Sequence, residues 1–539
     1  MKFQSLAFVC AAYTQAIWAA RYADNRRPAV KDSPAVSANF PDIKGVELIA
    51  PAFLDPSGIP DGFSDNLEGP TDQDTLEAFL KKLSKQNKWF HYRNPKITSE
   101  EGGSLPYAFL TKDHVRRKDG FNKPRGEKLR IWLQGGVHGD EPAGDQGLLA
   151  LLGKLSSDSR WANSVLDKAD IVVLPRYNPD GVEYFQRTYA TNFDPNRDHA
   201  VLRRKQTQDI KRLLNEFDPH VFVDAHEYTA NSRLGANGQW LKAQDVQVSG
   251  VKNPNIHKDI RSLQEGLFID TIYSDIEQRG LRTSPYFVAS GGTDTLILQE
   301  NSSISHAGHN SAGLGQRLSF LTETRGIRLG DQHFQRRVVA GLTAAESIIQ
   351  TTIDNASLVY KTIEGARKEF IKGEAKDIIV LDKSRPHETT WEFIEAESGD
   401  LVDIPVTFNN NTPSETVLSR ERPEAYVFSR AWADVAERLE VLGVEVEVLK
   451  KDFTAEVGTL TVTKATLATS KSHGLAQTAV ETKAGSREVT IPAGGFRVNT
   501  RQKNGLFALV VLEPENTASF VTYNIVPLEV GDEYPIFRV

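Results

Sequence analysis

The spacing of apolar residues along the chain predicts strands that alternate with helices. Apolar residues three or four positions apart in residues 76–90 (Leu76, Phe79, Leu80 and Leu83) predict an amphipathic helix. Short apolar runs predict buried strands at residues 128–134, 170–174, 221–226 and 318–322, and helical spacing predicts helices at residues 142–155, 206–217, 260–278 and 331–349. This alternation indicates an α/β sandwich around a mixed or parallel sheet.

The pattern changes in the last third of the chain. Alternating apolar and polar residues predict strands at residues 444–449, 459–463 and 507–512, and residues 431–442 predict one helix that ends at Gly443. We therefore expect an α/β domain over residues 76–355 and a smaller, β-rich C-terminal domain over residues 356–539. No internal repeat is visible.

The N-terminus has the pattern of a secretory signal. Lys2 precedes an apolar run over residues 6–12, and small residues follow at Ala16, Ala19 and Ala20. We expect residues 1–20 to be a signal peptide of a secreted, extracellular protein. Residues 21–75 are rich in Pro, Gly, Ser and Asp, which predicts an extended lead-in.

Composition narrows the chemistry of any site. The only cysteine, Cys10, lies inside the predicted signal peptide, so the mature chain would form no disulfide and offer a metal only nitrogen and oxygen ligands. Three acceptor sequons, consistent with secretion, begin at Asn301, Asn355 and Asn410.

Size and charge exclude some classes of partner. The chain has 539 residues, 39% of them hydrophobic and 25% charged, which is typical of a folded protein of two or three domains. Because the net charge is −7 and no basic stripe is present, we do not expect nucleic acid as a partner. We do not expect a membrane either, since no apolar run approaches the roughly 20 residues that span one.

Three residues have the chemistry and position of metal ligands. His138 and Glu141 follow the strand at residues 128–134, and we expect Gly135, Gly136 and Gly139 to supply the backbone freedom that lets both side chains face one ion. His226 ends the strand at residues 221–226, where the ligands of α/β sheets gather. A His–Glu–His set leaves the fourth zinc position open, as catalytic zinc requires.

Two further features suit a hydrolase. Asn196 and Arg197 follow Asp194 in a polar segment, and an asparagine beside an arginine can hold a carboxylate through charge-assisted hydrogen bonds. Glu323 follows the apolar residues 318–322, so its carboxylate would lie at the end of a strand. Near a metal-activated water it would serve as general base and then as proton donor.

In this order and on these elements, the motifs resemble the zinc metallocarboxypeptidases of the carboxypeptidase A type. The resemblance covers residues 76–350, and the C-terminal part is similar to the appended domain of secreted microbial and fungal members. The matching residues are His138, Glu141, Asn178, Pro179, Asp180, Gly181, Asp194, Asn196, Arg197, His226 and Glu323. The resemblance implies a mixed-sheet α/β/α sandwich, one Zn²⁺ per chain, and hydrolysis of the C-terminal peptide bond of peptides or proteins by a monomer.

The resemblance also implies a role for each matching residue. His138, Glu141 and His226 would bind zinc, and Asp194 would orient His138. Asn196 and Arg197 would hold the terminal carboxylate of the substrate. Glu323 would activate the water and pass its proton to the leaving amine. For the arginine that stabilises the oxyanion, Arg187 is the candidate and Arg176 competes with it.

Two departures from the family pattern concern the substrate. Asp140 stands where digestive members have an arginine, and the stretch some two dozen residues before Glu323 lacks the family's mobile tyrosine. Tyr286, further upstream, is a candidate substitute, and which residue replaces that tyrosine stays open. The residue that selects the terminal side chain falls in the same stretch, so the side-chain preference stays open.

Two alternative functions remain at this point. A zinc-dependent N-acyl amino acid deacylase of the desuccinylase or aspartoacylase type also carries His-Gly-x-Glu followed by Pro. A non-catalytic binding module could have kept the fold, although its signature would be the loss of a ligand or of the base. Glu227, beside His226, is the alternative base.

Overall fold

The computed structural model describes residues 25, 27–54, 71–115, 120–121, 126–290, 296–471 and 474–539. The predicted signal peptide and residues 55–70 of the lead-in lie outside the described residues. In chain order the strands are β1 (Phe90–Arg93), β2 (Tyr107–Leu110), β3 (Leu129–Gln134), β4 (Ala169–Leu174), β5 (Val221–Thr229), β6 (Trp240–Lys242), β7 (Val246–Gly250), β8 (Thr283–Pro285), β9 (Phe287–Ser290), β10 (Leu296–Glu300), β11 (Leu318–Ile327), β12 (Asp377–Glu395), β13 (Leu401–Glu421), β14 (Ala425–Phe428), β15 (Glu447–Val448), β16 (Phe453–Leu467), β17 (Thr478–Ile491), β18 (Phe496–Asn499) and β19 (Ile536–Arg538).

The helices lie between these strands and at the chain junctions. The α-helices are Pro34–Ser37, Pro51–Leu54, Gln73–Gln86, Pro142–Ser157, Ser159–Lys168, Pro179–Tyr184, Lys205–Phe217, Lys258–Leu263, Asp270–Gln278, Gly308–Gly313, Phe334–Asp354, Ala356–Lys372, Ala433–Val441 and Gly505–Val511. Short 3₁₀ helices span Pro195–Arg197 and Arg430–Trp432, and a π-helical turn spans Gln264–Ile269. Among the described residues, no helix combines the length and the apolar content that crossing a bilayer requires.

A mixed eight-stranded sheet forms the centre of the fold. Its order is β1-β2-β4-β3-β5-β11-β7-β8. Strand β3 runs parallel to β4 and β5, and β5 runs parallel to β11, whereas β7 is antiparallel to β11. The carboxyl ends of β3, β5 and β11 therefore meet at one edge of the sheet, where ligands of α/β folds bind.

Helices cover both faces of this sheet because its strands are apolar on both sides. On β3, Ile131 and Leu133 belong to the core that includes helices Pro142–Ser157 and Phe334–Asp354. Trp132, which points the opposite way, packs with helix Lys205–Phe217. The predicted α/β fold with a mixed sheet between helical layers is confirmed.

The structure corrects parts of the sequence prediction. Residues 507–512, predicted as a strand, belong to helix Gly505–Val511, because a short, fully buried apolar run fits either element. Residues 444–449 contribute only the two-residue strand β15. The predicted helix at residues 260–278 is interrupted by the π-helical turn.

Two further sheets lie beside the central one. The five-stranded sheet has the order β6-β12-β13-β10-β9, and the six-stranded sheet has the order β15-β18-β14-β19-β16-β17. The first of these joins strands from both sides of residue 356, since β13 pairs in parallel with β10. The C-terminal region is β-rich, as expected, and the boundary after residue 355 stays a prediction.

The lead-in packs against the strand that carries Glu323. Asp32 pairs with Arg325 at 2.6 and 3.0 Å, and their side chains are 1% and 2% exposed. Burial opposes the charge of Asp32, but hydrogen bonds and charges of His333 and Arg325 lower the pKa of its carboxyl group from 3.8 to about 2.

Replacing Asp32 by Asn should lower the free energy of unfolding at pH 7 by on the order of 3–5 kcal/mol, because it leaves a buried guanidinium unpaired. Since the pKa is lower in the folded state, the Asp32 contribution is present above about pH 4 and is lost as the pH falls toward 2. Urea denaturation at pH 7 and pH 3 measures both effects. The exposed pair of Lys464 and Glu481 provides the control, and Glu481→Gln should cost less than about 1 kcal/mol. Equal losses in the two variants would contradict the prediction.

Candidate metal centre

Close packing shapes the loop that carries the first two candidate ligands. Of the three glycines expected to give it freedom, only Gly136 has a left-handed backbone, with φ of +57°. A Cβ atom on Gly139 would lie 1.9 Å from the carbonyl carbon of Gly181. The expectation of backbone freedom is therefore wrong for Gly139, which is needed because another chain segment lies against it.

The structure brings His138, Glu141 and His226 together in a buried cluster. His138 Nδ1 lies 2.6 Å from Glu141 Oε1, and His226 Nδ1 lies 2.8 Å from Glu141 Oε2. The two Nδ1 atoms are 3.1 Å apart. One ligand atom from each residue lies within 4.8 Å of the others, so the three side chains can reach one ion.

The outer nitrogens of both imidazoles support this donor set. His138 Nε2 lies 3.1 Å from Asp194 Oδ1, and His226 Nε2 lies 3.3 Å from Asp224 Oδ1. When each Nε2–H donates to its carboxylate, each Nδ1 keeps a lone pair for a metal. Two neutral imidazoles and one carboxylate are the ligands that catalytic zinc prefers, so the residues fit this ion.

Asp194 is the central anion of the surrounding network. Its Oδ2 accepts a hydrogen bond of 2.9 Å from Arg187 Nε, and its Oδ1 accepts one from the backbone N–H of Asn196. Burial opposes its ionisation, but the charge of Arg187 and the hydrogen bond from His138 hold the pKa of the Asp194 carboxyl group well below its usual value. Asp194 therefore stays ionised and able to orient His138.

The two arginines considered for the oxyanion lie in different surroundings. Arg187 lines the cavity, and its Nη1 lies 3.4 Å from Glu141 Oε1. Arg176 is fully buried and donates twice to Asp145 Oδ2, at 2.9 and 2.7 Å. The geometry favours Arg187.

The segment with Asn196 and Arg197 also reaches the cavity. Asn196 Oδ1 accepts a hydrogen bond of 2.7 Å from the backbone N–H of Gly308, and its Nδ2 lies 3.3 Å from His226 Nε2. Arg197 donates to the carbonyl oxygen of Asn196. Within the described residues no carboxylate pairs with the Arg197 guanidinium, which leaves its charge available to an anionic ligand.

Glu323 lies opposite His226 in the register of β5 and β11. Its carboxylate lines the cavity and makes no hydrogen bond or ion pair with another described residue. Burial, with the nearby charge of Glu141, raises the pKa of Glu323 to about 8, and a divalent cation beside it would lower this value. Glu227, by contrast, receives two hydrogen bonds from Arg337, at 3.0 and 2.7 Å.

The cavity has a volume of about 450 Å³. Tyr286 lines it, and its hydroxyl group has no hydrogen-bond partner in the described part of the chain, whereas Asp140 is not among the lining residues.

Two residues near the site were not predicted from the sequence. Asp224 lies two positions before His226 on the same face of β5, which a period of two could have revealed. Lys242 belongs to no motif.

The three sequon asparagines lie in different surroundings, and their glycosylation stays a prediction. Asn301 lies at the cavity wall, 2.6 Å from His309 Nε2 and 3.2 Å from Ser249 Oγ. Asn355 lies at the junction of two helices, and Asn410 lies on β13.

Comparison with known proteins assigns this site to a family. The zinc carboxypeptidase family model matches residues 77–239. Carboxypeptidase 2 of Trichophyton tonsurans is 45% identical over 522 residues, which cover 97% of this chain and 96% of the relative. Carboxypeptidase 2 of Trichophyton rubrum is 44% identical over 522 residues, which again cover 97% of this chain and 96% of the relative. A metallo-carboxypeptidase from Burkholderia cenocepacia is 16% identical, with a TM-score of 0.39, and the match covers 52% of this chain and 69% of that structure.

The chain belongs to the zinc carboxypeptidase family. It is a zinc-dependent metallocarboxypeptidase, an enzyme that acts on peptides. Family membership thus favours the peptidase over the deacylase and the non-catalytic module.

Replacing Asp194 by Asn should weaken zinc binding by about 10- to 100-fold, because the carboxylate that orients His138 is lost. Competition with a chelator of known affinity measures this without reference to activity. Asp180→Asn is the matched control, since Asp180 is also buried, and its contacts with described residues are those with Ser99 Oγ and the Glu101 N–H. Unchanged zinc affinity in Asp194→Asn would remove Asp194 from this role.

Proposed function

We propose that this protein is a secreted carboxypeptidase that removes the C-terminal residue of peptides or proteins, with Glu323 as general base. The main supporting observation is the cavity lined by Arg197, Glu323, His138 and Glu141, with His226 completing the His–Glu–His cluster beside it. Its unpaired guanidinium suits a free terminal carboxylate, and a carboxylate bound there limits cleavage to the end of a chain.

The metal would be held by His138, Glu141 and His226, with Asp194 and Asp224 fixing the two imidazoles. When bound, zinc supplies Lewis-acid polarisation of a carbonyl oxygen and of water. Glu323 removes a proton from the attacking water molecule, because its carboxylate lies in the cavity without a competing hydrogen bond. The same carboxyl group then protonates the leaving amine.

The cationic and hydroxyl groups of the cavity position the substrate. Asn196 and Arg197 bind the terminal carboxylate, and Arg187 stabilises the negative charge that develops on the scissile carbonyl oxygen. Tyr286 contributes a free hydroxyl group as a donor to the bound peptide. Burial, with the nearby charge of Glu323, raises the pKa of Tyr286, so its proton is retained at neutral pH.

Secretion and domain organisation are part of the same proposal. The basic, apolar and small residues of 1–20 support cleavage of a signal peptide near Ala20, and the three sequons are consistent with that route. We propose a catalytic domain over residues 76–355 and a β-rich domain over residues 356–539. We propose that the protein acts as a monomer.

Glu323→Gln should reduce kcat/KM by about 10²- to 10⁴-fold while zinc content stays at one ion per chain, because the amide cannot accept the proton from water. Elemental analysis and initial rates on one peptide measure the two quantities. Glu227→Gln tests the alternative base, and it should retain far more activity in the fraction that stays folded. Turnover that survives in Glu323→Gln but not in Glu227→Gln would indicate that Glu227, and not Glu323, is the general base.

Arg197→Met should raise KM for peptides with a free C-terminus by about tenfold or more, because a charge-assisted hydrogen bond to the terminal carboxylate is lost. Peptides with a C-terminal amide should be poor substrates for the natural enzyme and change little in the variant. Arg187→Met is the control, since it should lower kcat more than it raises KM. Rapid cleavage of N-acyl amino acids, with no cleavage of peptides, would instead support the deacylase.

A further inference from the structure

Lys242 is a buried lysine that lines the cavity. It ends strand β6, and the residue is 7% exposed. Its Nζ donates to the carbonyl oxygen of Phe287 at 2.6 Å and to Gln247 Oε1 at 3.0 Å. The ring of Phe287 lies 4.1 Å from Nζ and that of Tyr228 lies 4.7 Å from it. An ammonium group has three donors, so two neutral acceptors leave one N–H without an oxygen partner.

No carboxylate in the described part of the chain pairs with Lys242. The contrast is with Lys252, another buried lysine, which pairs with Glu300 at 2.8 Å and Glu265 at 3.2 Å. Burial lowers the pKa of Lys242 to about 7, and the charge of Glu323 offsets only part of this effect. A buried cation without a counter-ion is costly, and an anion that enters the cavity would reduce that cost.

The order of strands places Lys242 beyond the general base. Gln247 on β7 lies opposite Glu323 on β11, and Glu323 lies opposite His226 on β5. Neighbouring strands are about 4.8 Å apart, so the amide that Lys242 contacts lies one strand beyond the reacting centre. Arg197 lies on a different segment, where it donates to the carbonyl oxygen of Asn196. Lys242 and Arg197 therefore both line the cavity, and neither pairs with a carboxylate of a described residue.

We propose that Lys242 forms a subsite for an acidic side chain of the peptide, at one of the two residues that flank the scissile bond. This inference rests on the proposed carboxypeptidase function and deepens it. Arg197 would hold the terminal carboxylate that every substrate has, whereas Lys242 would bind the carboxylate of an Asp or Glu side chain. The rings of Phe287 and Tyr228 exclude water from this contact and thereby strengthen it.

The test is a panel of peptides that differ only in Glu against Gln at the last or the penultimate position, assayed with the zinc-loaded full chain. The natural enzyme should prefer Glu by about tenfold or more in kcat/KM at one of the two positions. In Lys242→Met, which keeps length without charge, the ratio should fall close to one. Gln247→Glu places a carboxylate of the protein beside the Lys242 ammonium group, so it should also lower the Glu-to-Gln ratio of kcat/KM. This variant provides the test if Lys242→Met does not fold.

The outcomes distinguish failure of the Lys242 subsite from failure of the proposed carboxypeptidase function. Failure to cleave any peptide of the panel, acidic or neutral, would overturn the proposed function itself. Cleavage of neutral peptides with a Glu-to-Gln ratio near one at both positions would overturn only the subsite. An equal loss on acidic and neutral peptides in Lys242→Met would also overturn it, and would indicate that Lys242 acts through the charge of Glu323.

Discussion

The convergence of two imidazoles on one carboxylate is the constraint on which the rest of the site depends. Both Nδ1 atoms face Glu141, and this orientation is possible because Asp194 and Asp224 accept hydrogen bonds from the opposite nitrogens. Two further carboxylates are therefore buried to orient the imidazoles of the three candidate ligands. A cation at the centre would bind all three donors at once, so zinc and this network would stabilise each other.

The central sheet places the proposed base beside the His–Glu–His cluster. Because β5 and β11 run in parallel and in register, the proposed base lies beside the candidate ligand His226 with no loop to position it. The guanidinium of Arg197 comes from a short 3₁₀ turn whose first residue follows Asp194. Asp194 thus contacts the candidate ligand His138 and also precedes the segment that we propose binds the substrate.

Much of this arrangement is predictable from sequence because its signals are local. The strands of the central sheet are apolar on both faces, and His138 and Glu141 are only three residues apart. The helix Gly505–Val511 was missed because periodicity cannot separate a short buried helix from a strand. Lys242 could not be found, since a lysine is usually exposed and its burial here depends on strands far away in the chain.

The pairing of β10 with β13 has a consequence for the order in which the molecule is completed. Residues of β6, β9 and β10 line the cavity, and β13 pairs with β10, yet Leu401–Glu421 follows the proposed base by some 80 to 100 residues. During synthesis the N-terminal part of a chain folds first. The sheet that holds β10 at the cavity is therefore incomplete in a nascent chain until β13 has been synthesised.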